Sequence, residues 1–363
     1  MNDWVPAIRW VAAASLPYLL ADAEPGILMA AMPCFDKLLR SERCQQDFTY
    51  KPWELYPMLA RRFAECPKAV FRQPVHVRRL CYQTIFLQYQ ENYDTKVQRT
   101  LLRCWMDGER DNVQHDWLVT MYLRWCKEEI PQSELIPLTQ SKRWRIRYHA
   151  CERRYRQEGL WDGFEVLLLD TSSAVRAFAA YWLSRAGFDC VTYCRSHRPE
   201  GIPLLGELGT KADIPYVRQY LKEQPCMCLY ALVRLGAEDT EALLWEHLHS
   251  VHPAAARTAF RIAWAQHIRF SRDTILAELE TVEDPILRWR LVKLLGIMGD
   301  WQVLPALIRL VNDYSHLRTD ILHAIENRYP WQQSLSPELA RQIEQAIAEV
   351  EEILPETLVQ QLR

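Results

Sequence analysis

The chain has 363 residues, 49% of them hydrophobic and 25% charged, with a formal net charge of −2. That balance belongs to a folded protein rather than a disordered one, and its near-neutrality gives no global pull toward nucleic acid or acidic membranes. Only 11 glycines are present, too few for the turns and bulges of a large β protein. The 14 tryptophans and 16 tyrosines supply packing area and, where exposed, contact residues.

The opening segment, MNDWVPAIRWVAAASLPYLLADA, is apolar. Asp3 precedes any positive charge and Arg9 interrupts the run, which is the wrong order for an export signal. No window reaches the roughly 18–20 uninterrupted apolar residues of a membrane span. A cytoplasmic location is therefore expected. The 11 cysteines, from Cys34 to Cys228, are odd in number and sit in apolar helical patterns, so they read as small buried hydrophobes in a reducing compartment.

Helical periodicity then runs along the chain. WELYPMLARRF (53–63), VQRTLLRCWM (97–106) and DWLVTMYLRW (116–125) each place apolar residues at three- and four-residue steps. Breaks are expected at Pro52, Pro74, Pro131, Pro137, Pro203, Pro215, Pro253, Pro285, Pro305, Pro330 and Pro337. Many of these stand where an apolar stretch begins, a position that suits the first turn of a helix.

The second half repeats. LLGELGTKADIPYVRQYL (204–221) and LLGIMGDWQVLPALIRLV (294–311) share Leu-Leu-Gly-x-x-Gly, a polar turn, a proline and an apolar helix. LVRLGAEDTEALLWEHL (232–248) follows the same plan with one glycine fewer. Upstream lies a recurring arginine. Val175-Arg176-x-x-Ala179 leads to Leu183 and Gly187, and Leu287-Arg288-x-x-Leu291 leads to Leu295 and Gly299, at the same steps. Arg147, Arg257 and Arg318 stand in matching contexts, and Arg78 in a weaker one. Acidic residues precede several of them: Asp170, Asp284 and Asp313.

Residues 170–187 (DTSSAVRAFAAYWLSRAG) and 284–300 (DPILRWRLVKLLGIMGD) resemble the unit of the HEAT-repeat family, in particular its short bacterial, phycobilisome-lyase-type form. The resemblance covers about 140–330. It implies an all-α fold, an α-solenoid of paired helices in which neighbouring pairs share one continuous core. The division it implies is a diverged helical cap over 1–135, repeats over 136–332, and capping helices over 333–363, where SPELARQIEQAIAEVEEILPETLVQQLR is rich in glutamate and glutamine. Arg147, Arg176, Arg257, Arg288 and Arg318 are then ladder residues that pair with turn carboxylates of neighbouring units.

The resemblance also implies that the second helix of each unit lines a concave side. If Arg, Arg+3 and Arg+7 face inward, the opposite face carries Tyr148, His149, Arg153 and Arg156 in one unit. In the next it carries Phe178, Tyr181, Trp182 and Arg185, and near Arg288 it carries Trp289, Arg290 and Lys293. Aromatics mixed with arginine are the composition of interface hot spots. The same aromatics would serve equally well in thick contacts between repeats.

One segment, SKRWRIRYHACERRYR (141–156), holds seven basic residues and one acid, with Trp144, Tyr148 and Tyr155 between them. It is the best nucleic-acid candidate, because cations neutralise phosphate and aromatics stack on bases. No stretch carries over the catalytic residues of the HEAT-like DNA glycosylases. Cys190, Cys194 and His197, with Cys226 and Cys228, are the nearest approach to a metal site, but the usual zinc spacing is missing. His247 and His249 lie two apart on a helix and diverge, and Glu128 and Glu129 close a helix as a solvated pair. H-E-x-x-H, G-x-S-x-G, phosphate-loop and dinucleotide motifs are absent. Bilin lyase activity occurs among relatives of the repeat, which does not by itself imply it.

The expectation is a non-catalytic scaffold or adaptor that binds a protein partner, with no cofactor and no metal. By analogy with similar solenoids, an immunity or accessory protein of a bacterial toxin or secretion system is one such role. A nucleic-acid-binding or DNA-repair solenoid is the alternative.

Overall fold

A computed structural model of the chain describes residues 6–40, 52–89, 95–126, 129–298, 301–328 and 335–362. Lys127, Glu128, Gly299 and Pro330 lie outside the described residues, as does the side chain of Asp313. Among the described residues all regular structure is helical and no strand occurs. No helix among them is long and apolar enough to cross a membrane. The chain divides into two compact units, 1–186 and 187–363, with the boundary inside the segment that carries the repeat motifs.

The first unit contains α1 (Pro6–Asp22), α2 (Pro25–Ala30), α3 (Met32–Arg40), α4 (Pro52–Glu65), α5 (Val75–Tyr89), α6 (Thr95–Gly108), α7 (Asn112–Trp125), α8 (Gln132–Thr139), α9 (Trp144–Glu158) and α10 (Ser173–Arg185). Short 3-10 turns fill Pro67–Arg72 and Phe164–Leu169. Local chemistry sets the ends. Asp111 caps α7 by accepting from the backbone N–H groups of Val113 and Gln114 at 3.0 and 2.9 Å, which satisfies donors that a helix start leaves unpaired. Gly159 closes α9 at φ +74°, a backbone region that costs glycine little. Pro137, expected to break the chain, lies inside α8. That helix ends only two residues later, so few carbonyls are disturbed.

In this unit α5 packs on α7, α7 on α9, and α9 on α10. One core gathers Phe63, Tyr82, Ile85, Leu102, Trp105 and Leu118. A second gathers Tyr122, Leu123, Leu135, Ile146 and Ala150 beneath α9. Each such large apolar side chain, fully buried, contributes about 1.5–3 kcal/mol.

The second unit contains α11 (Cys190–Ser196), α12 (Ile202–Leu208), α13 (Ile214–Arg218), α14 (Pro225–Leu235), α15 (Thr240–Leu248), α16 (Pro253–Ala265), α17 (Arg272–Thr281), α18 (Pro285–Ile297), α19 (Leu304–Asp313), α20 (Arg318–Arg328), α21 (Pro337–Val350) and α22 (Glu356–Leu362). Alternate helices form a row in which α12 packs on α14, α14 on α16, α16 on α18 and α18 on α20. The intervening α13, α15, α17 and α19 each lie against the helix that follows. The two Leu-Leu-Gly segments hold matching places in the order of elements. Each lies at the end of a row helix, and a 3-10 turn (Lys211–Asp213 and Trp301–Val303) and then a helix with proline in its first turn follow it.

The first glycine of that motif has a structural reason. A Cβ on Gly206 would stand 2.6 Å from the Ala231 Cα, and one on Gly296 would stand 2.8 Å from the Ala324 Cβ. The glycine and a small partner on the next row helix let the two backbones approach closely. The C-terminal helices join the same core: Ile343, Ala346, Ile347 and Val350 are buried with Leu307 and Ile308.

Candidate partner-binding surface

The recurring arginines pin the turns that precede their own helices. Arg147 donates to the Ser141 carbonyl and Arg176 to the Asp170 carbonyl, both at 2.7 Å, and Arg288 donates to the Val282 carbonyl. In each case the acceptor lies six residues upstream. Arg147 also reaches forward, with Nε and Nη2 at 2.8 and 2.7 Å from the two Asp170 carboxylate oxygens. That bidentate pair raises the Arg147 pKa further, against the opposing effect of burial. Arg288 lies 4.8 Å from the Tyr314 ring. Arg318 is half-buried and its Nε makes no hydrogen bond.

Arg257 departs from the inward-facing ladder pattern, for it is exposed. α16 instead packs through Ala255, Ala256, Ala259 and Ala263, and small residues on that face leave no room for a guanidinium. Arg290 departs in the opposite sense. Expected on an open face, it is 8% exposed. α18 is buried on most sides, with Leu287, Leu291, Val292, Leu294 and Leu295 in the core, so neighbouring helices cover the position of Arg290 as well. Burial, reinforced by Arg257 nearby and opposed by Asp284, lowers the Arg290 pKa.

In the first unit the expected contact residues of α9 and α10 come together as one aromatic cluster. The Phe178 ring lies 5.9 Å from each of Tyr148, Tyr155 and Phe164. Trp182 stacks on Tyr155 at 4.2 Å. Trp161 joins through Phe164, 4.5 Å away, and carries the Arg154 guanidinium 4.3 Å from its ring. Phe178, Tyr148 and Trp182 are half-buried by these contacts. Tyr181 is not: it is 53% exposed, and Arg185, also exposed, donates to its hydroxyl at 2.7 Å. The outer edge of the cluster is therefore an aromatic–arginine pair resting on a packed aromatic base.

The polar residues of α9 are largely engaged with one another. Glu152 accepts from Arg156 at 2.6 Å and lies 3.2 Å from the His149 Nδ1. The His149 contact is the main reason its carboxyl is held below the usual glutamate range, with Arg156 adding to it. Arg153 donates to Gln157 and Arg154 to Glu158.

In the second unit Trp289 is half-buried 5.2 Å from Phe260, and its indole N–H donates to Asp320 at 3.1 Å. Lys293 pairs with the same carboxylate at 2.5 Å. These two residues tie α18 to α20.

The basic run 141–156 is divided by its partners. Arg143 is bound by Asp116 and the Asn112 carbonyl, and Arg147 by Asp170. Lys142 and Arg145 have no carboxylate partner among the described residues. They share a groove of about 790 Å3 with Arg79 of α5 and Arg124 of α7, two residues that sequence reasoning did not single out. Their only signal was position: Arg79 follows Arg78, which is committed to Glu109, and Arg124 ends an amphipathic helix.

Of the candidate metal ligands three are core residues, while Cys226 is half-buried and His197 exposed. Cys190, Cys194 and Cys228 are buried, and burial pushes the Cys228 thiol up to about 12. His197 stacks on Tyr193 with its Nδ1 2.8 Å from the Tyr193 carbonyl. Among the described residues no three His, Cys, Asp or Glu side chains are grouped to hold a metal. His247 lies against the Leu243 carbonyl and His249 beside Glu278. No family model, curated protein or solved structure matches this chain.

Proposed function

We propose that the chain is a solenoid of HEAT-type helical pairs that acts as a non-catalytic scaffold, holding a protein partner on the α9–α10 surface. The observation that carries this reading is the aromatic–arginine edge formed by Tyr181 and Arg185, exposed and held by the packed base of Phe178, Trp182 and Tyr155. A rigid aromatic with a guanidinium beside it loses little conformational freedom on docking, which is why such groups dominate binding energy. Support for the solenoid comes from the row of alternate helices in the second unit and the matching close approaches at Gly206 and Gly296.

The test separates contact from packing. Tyr181→Ala with Arg185→Ala removes exposed groups and is expected to leave the unfolding midpoint within about 0.5 kcal/mol of the parent. The same double variant is expected to lose a partner co-purified from the native cell. Trp182→Ala breaks the stack on Tyr155 and is expected to cost about 2–3 kcal/mol of stability. Retention of the partner by the double variant would sink the proposal.

A further inference from the structure

The groove between α7 and α9 gathers positive charge beyond what the carboxylate on its lining pairs. Arg79, Arg124, Lys142 and Arg145 are all exposed, arrive from three helices and one turn, and lack carboxylate partners among the described residues. Asp116 is the one carboxylate on the lining, and Arg143 occupies it. Four like charges facing one concavity repel one another, and an anion that neutralises them is drawn in.

The floor and wall add a second chemistry. Trp144 is 46% exposed at the mouth, with the Arg145 guanidinium 5.5 Å from its ring. Trp117 and Met121 line the groove half-buried. Gln114, only 5% exposed, also lines it, and its amide oxygen Oε1 is buried without a donor.

We infer that this groove binds single-stranded nucleic acid, with phosphates on the four cations and a base stacked on Trp144. A nucleic-acid strand brings one negative charge and one planar ring per residue, which matches cations interleaved with an exposed indole. A peptide would need carboxylates at nearly every position to match the same charge. In a duplex the base faces are hidden in the stack, so Trp144 would find none to cover. The inference is independent of the Tyr181–Arg185 surface and stands or falls separately from it.

The test uses the full chain and a short labelled oligothymidylate followed by fluorescence anisotropy. With three or four phosphates engaged, affinity is expected to fall about 20- to 50-fold between about 50 and about 200 mM salt. Arg79→Ala with Lys142→Ala and Arg145→Ala is expected to weaken binding at least about tenfold at low salt and to flatten the log–log salt slope by about 2. Trp144→Ala is expected to weaken binding about tenfold with the slope unchanged, since stacking releases no counterions. Lys222→Ala, an exposed charge change in the other unit, is expected to change neither.

Three results would overturn the inference. One is the absence of saturable binding at low salt. Another is a triple variant that keeps the parent's affinity and slope. The last is a duplex, or polyglutamate at equal charge, that binds as tightly as the oligothymidylate. The polyglutamate result would make the groove an acidic-protein dock instead.

Discussion

Arg147 holds Asp170 through two parallel hydrogen bonds, 2.8 and 2.7 Å, and so fixes the turn by which α9 hands over to α10. The same carboxylate accepts from the Ser172 backbone N–H at 2.7 Å, and its own carbonyl accepts from Arg176. One aspartate therefore joins the arginine of one helix to the arginine of the next. The pair is mostly covered, with side chains 13% and 11% exposed.

Removing either partner strands the other in a poorly solvated place. Arg147→Ala and Asp170→Ala are each expected to cost about 2–4 kcal/mol, with Asp170→Ala the larger because it also frees the start of α10. The double variant is expected to cost little more than the worse single variant, since the two contributions are one interaction. Denaturant unfolding of the three variants checks this. Fully additive losses would mean that the two residues act separately.

The two Leu-Leu-Gly motifs predict different rescue behaviour. Gly296→Ala places a methyl 2.8 Å from the Ala324 Cβ, whereas Gly206→Ala places one 2.6 Å from the Ala231 Cα. Each is expected to cost about 1–3 kcal/mol through overpacking. Ala324→Gly added to Gly296→Ala removes the colliding methyl and is expected to recover most of that loss. Ala231→Gly added to Gly206→Ala leaves the colliding Cα in place and is expected to recover little. Melting temperatures of the four variants read the contrast. Equal rescue at both sites would show that the helices shift apart rather than clash.

What was legible in the sequence was whatever is local or periodic. Apolar spacing gave the helices, and the Leu-Leu-Gly motif marked the repetition, while the close approach of row helices at its first glycine depends on the partner residues Ala231 and Ala324 and shows only in three dimensions. Position along a helix also placed Tyr181 and Arg185 outward. It failed for Arg257 and Arg290 because periodicity names opposite faces of a helix without saying how many of them neighbours cover. α18 is covered over most of its length, Arg290 included, and α16 turns its alanines inward, and both facts depend on distant segments. The groove was half legible. The run 141–156 is contiguous, but Arg79 and Arg124 meet it only through the packing of α5 on α7 and α7 on α9. The run also overstated its free charge, since Arg143, Arg147, Arg154 and Arg156 are tied to carboxylates.

The last prediction concerns acid. Lys293 is the chief reason the Asp320 carboxyl is held below the usual aspartate range, through both its hydrogen bond and its charge; burial opposes it, and the Trp289 N–H and nearby His323 add to the depression. A carboxylate whose folded pKa is depressed stabilises the fold above its unfolded pKa, near about 4, and that contribution is lost as pH falls through the lower folded value. Asp320 is 38% exposed on its side chain, so solvent screening keeps the whole effect under about 1 kcal/mol. Asp320→Asn is therefore expected to lower the urea midpoint slightly at neutral pH. Below about pH 4, where the carboxylate of the unfolded parent begins to protonate and the folded one follows at lower pH, the difference is expected to shrink toward zero. A gap between the two proteins that stays constant from neutral pH down to about pH 3 would show that the loss does not come from the carboxylate's charge.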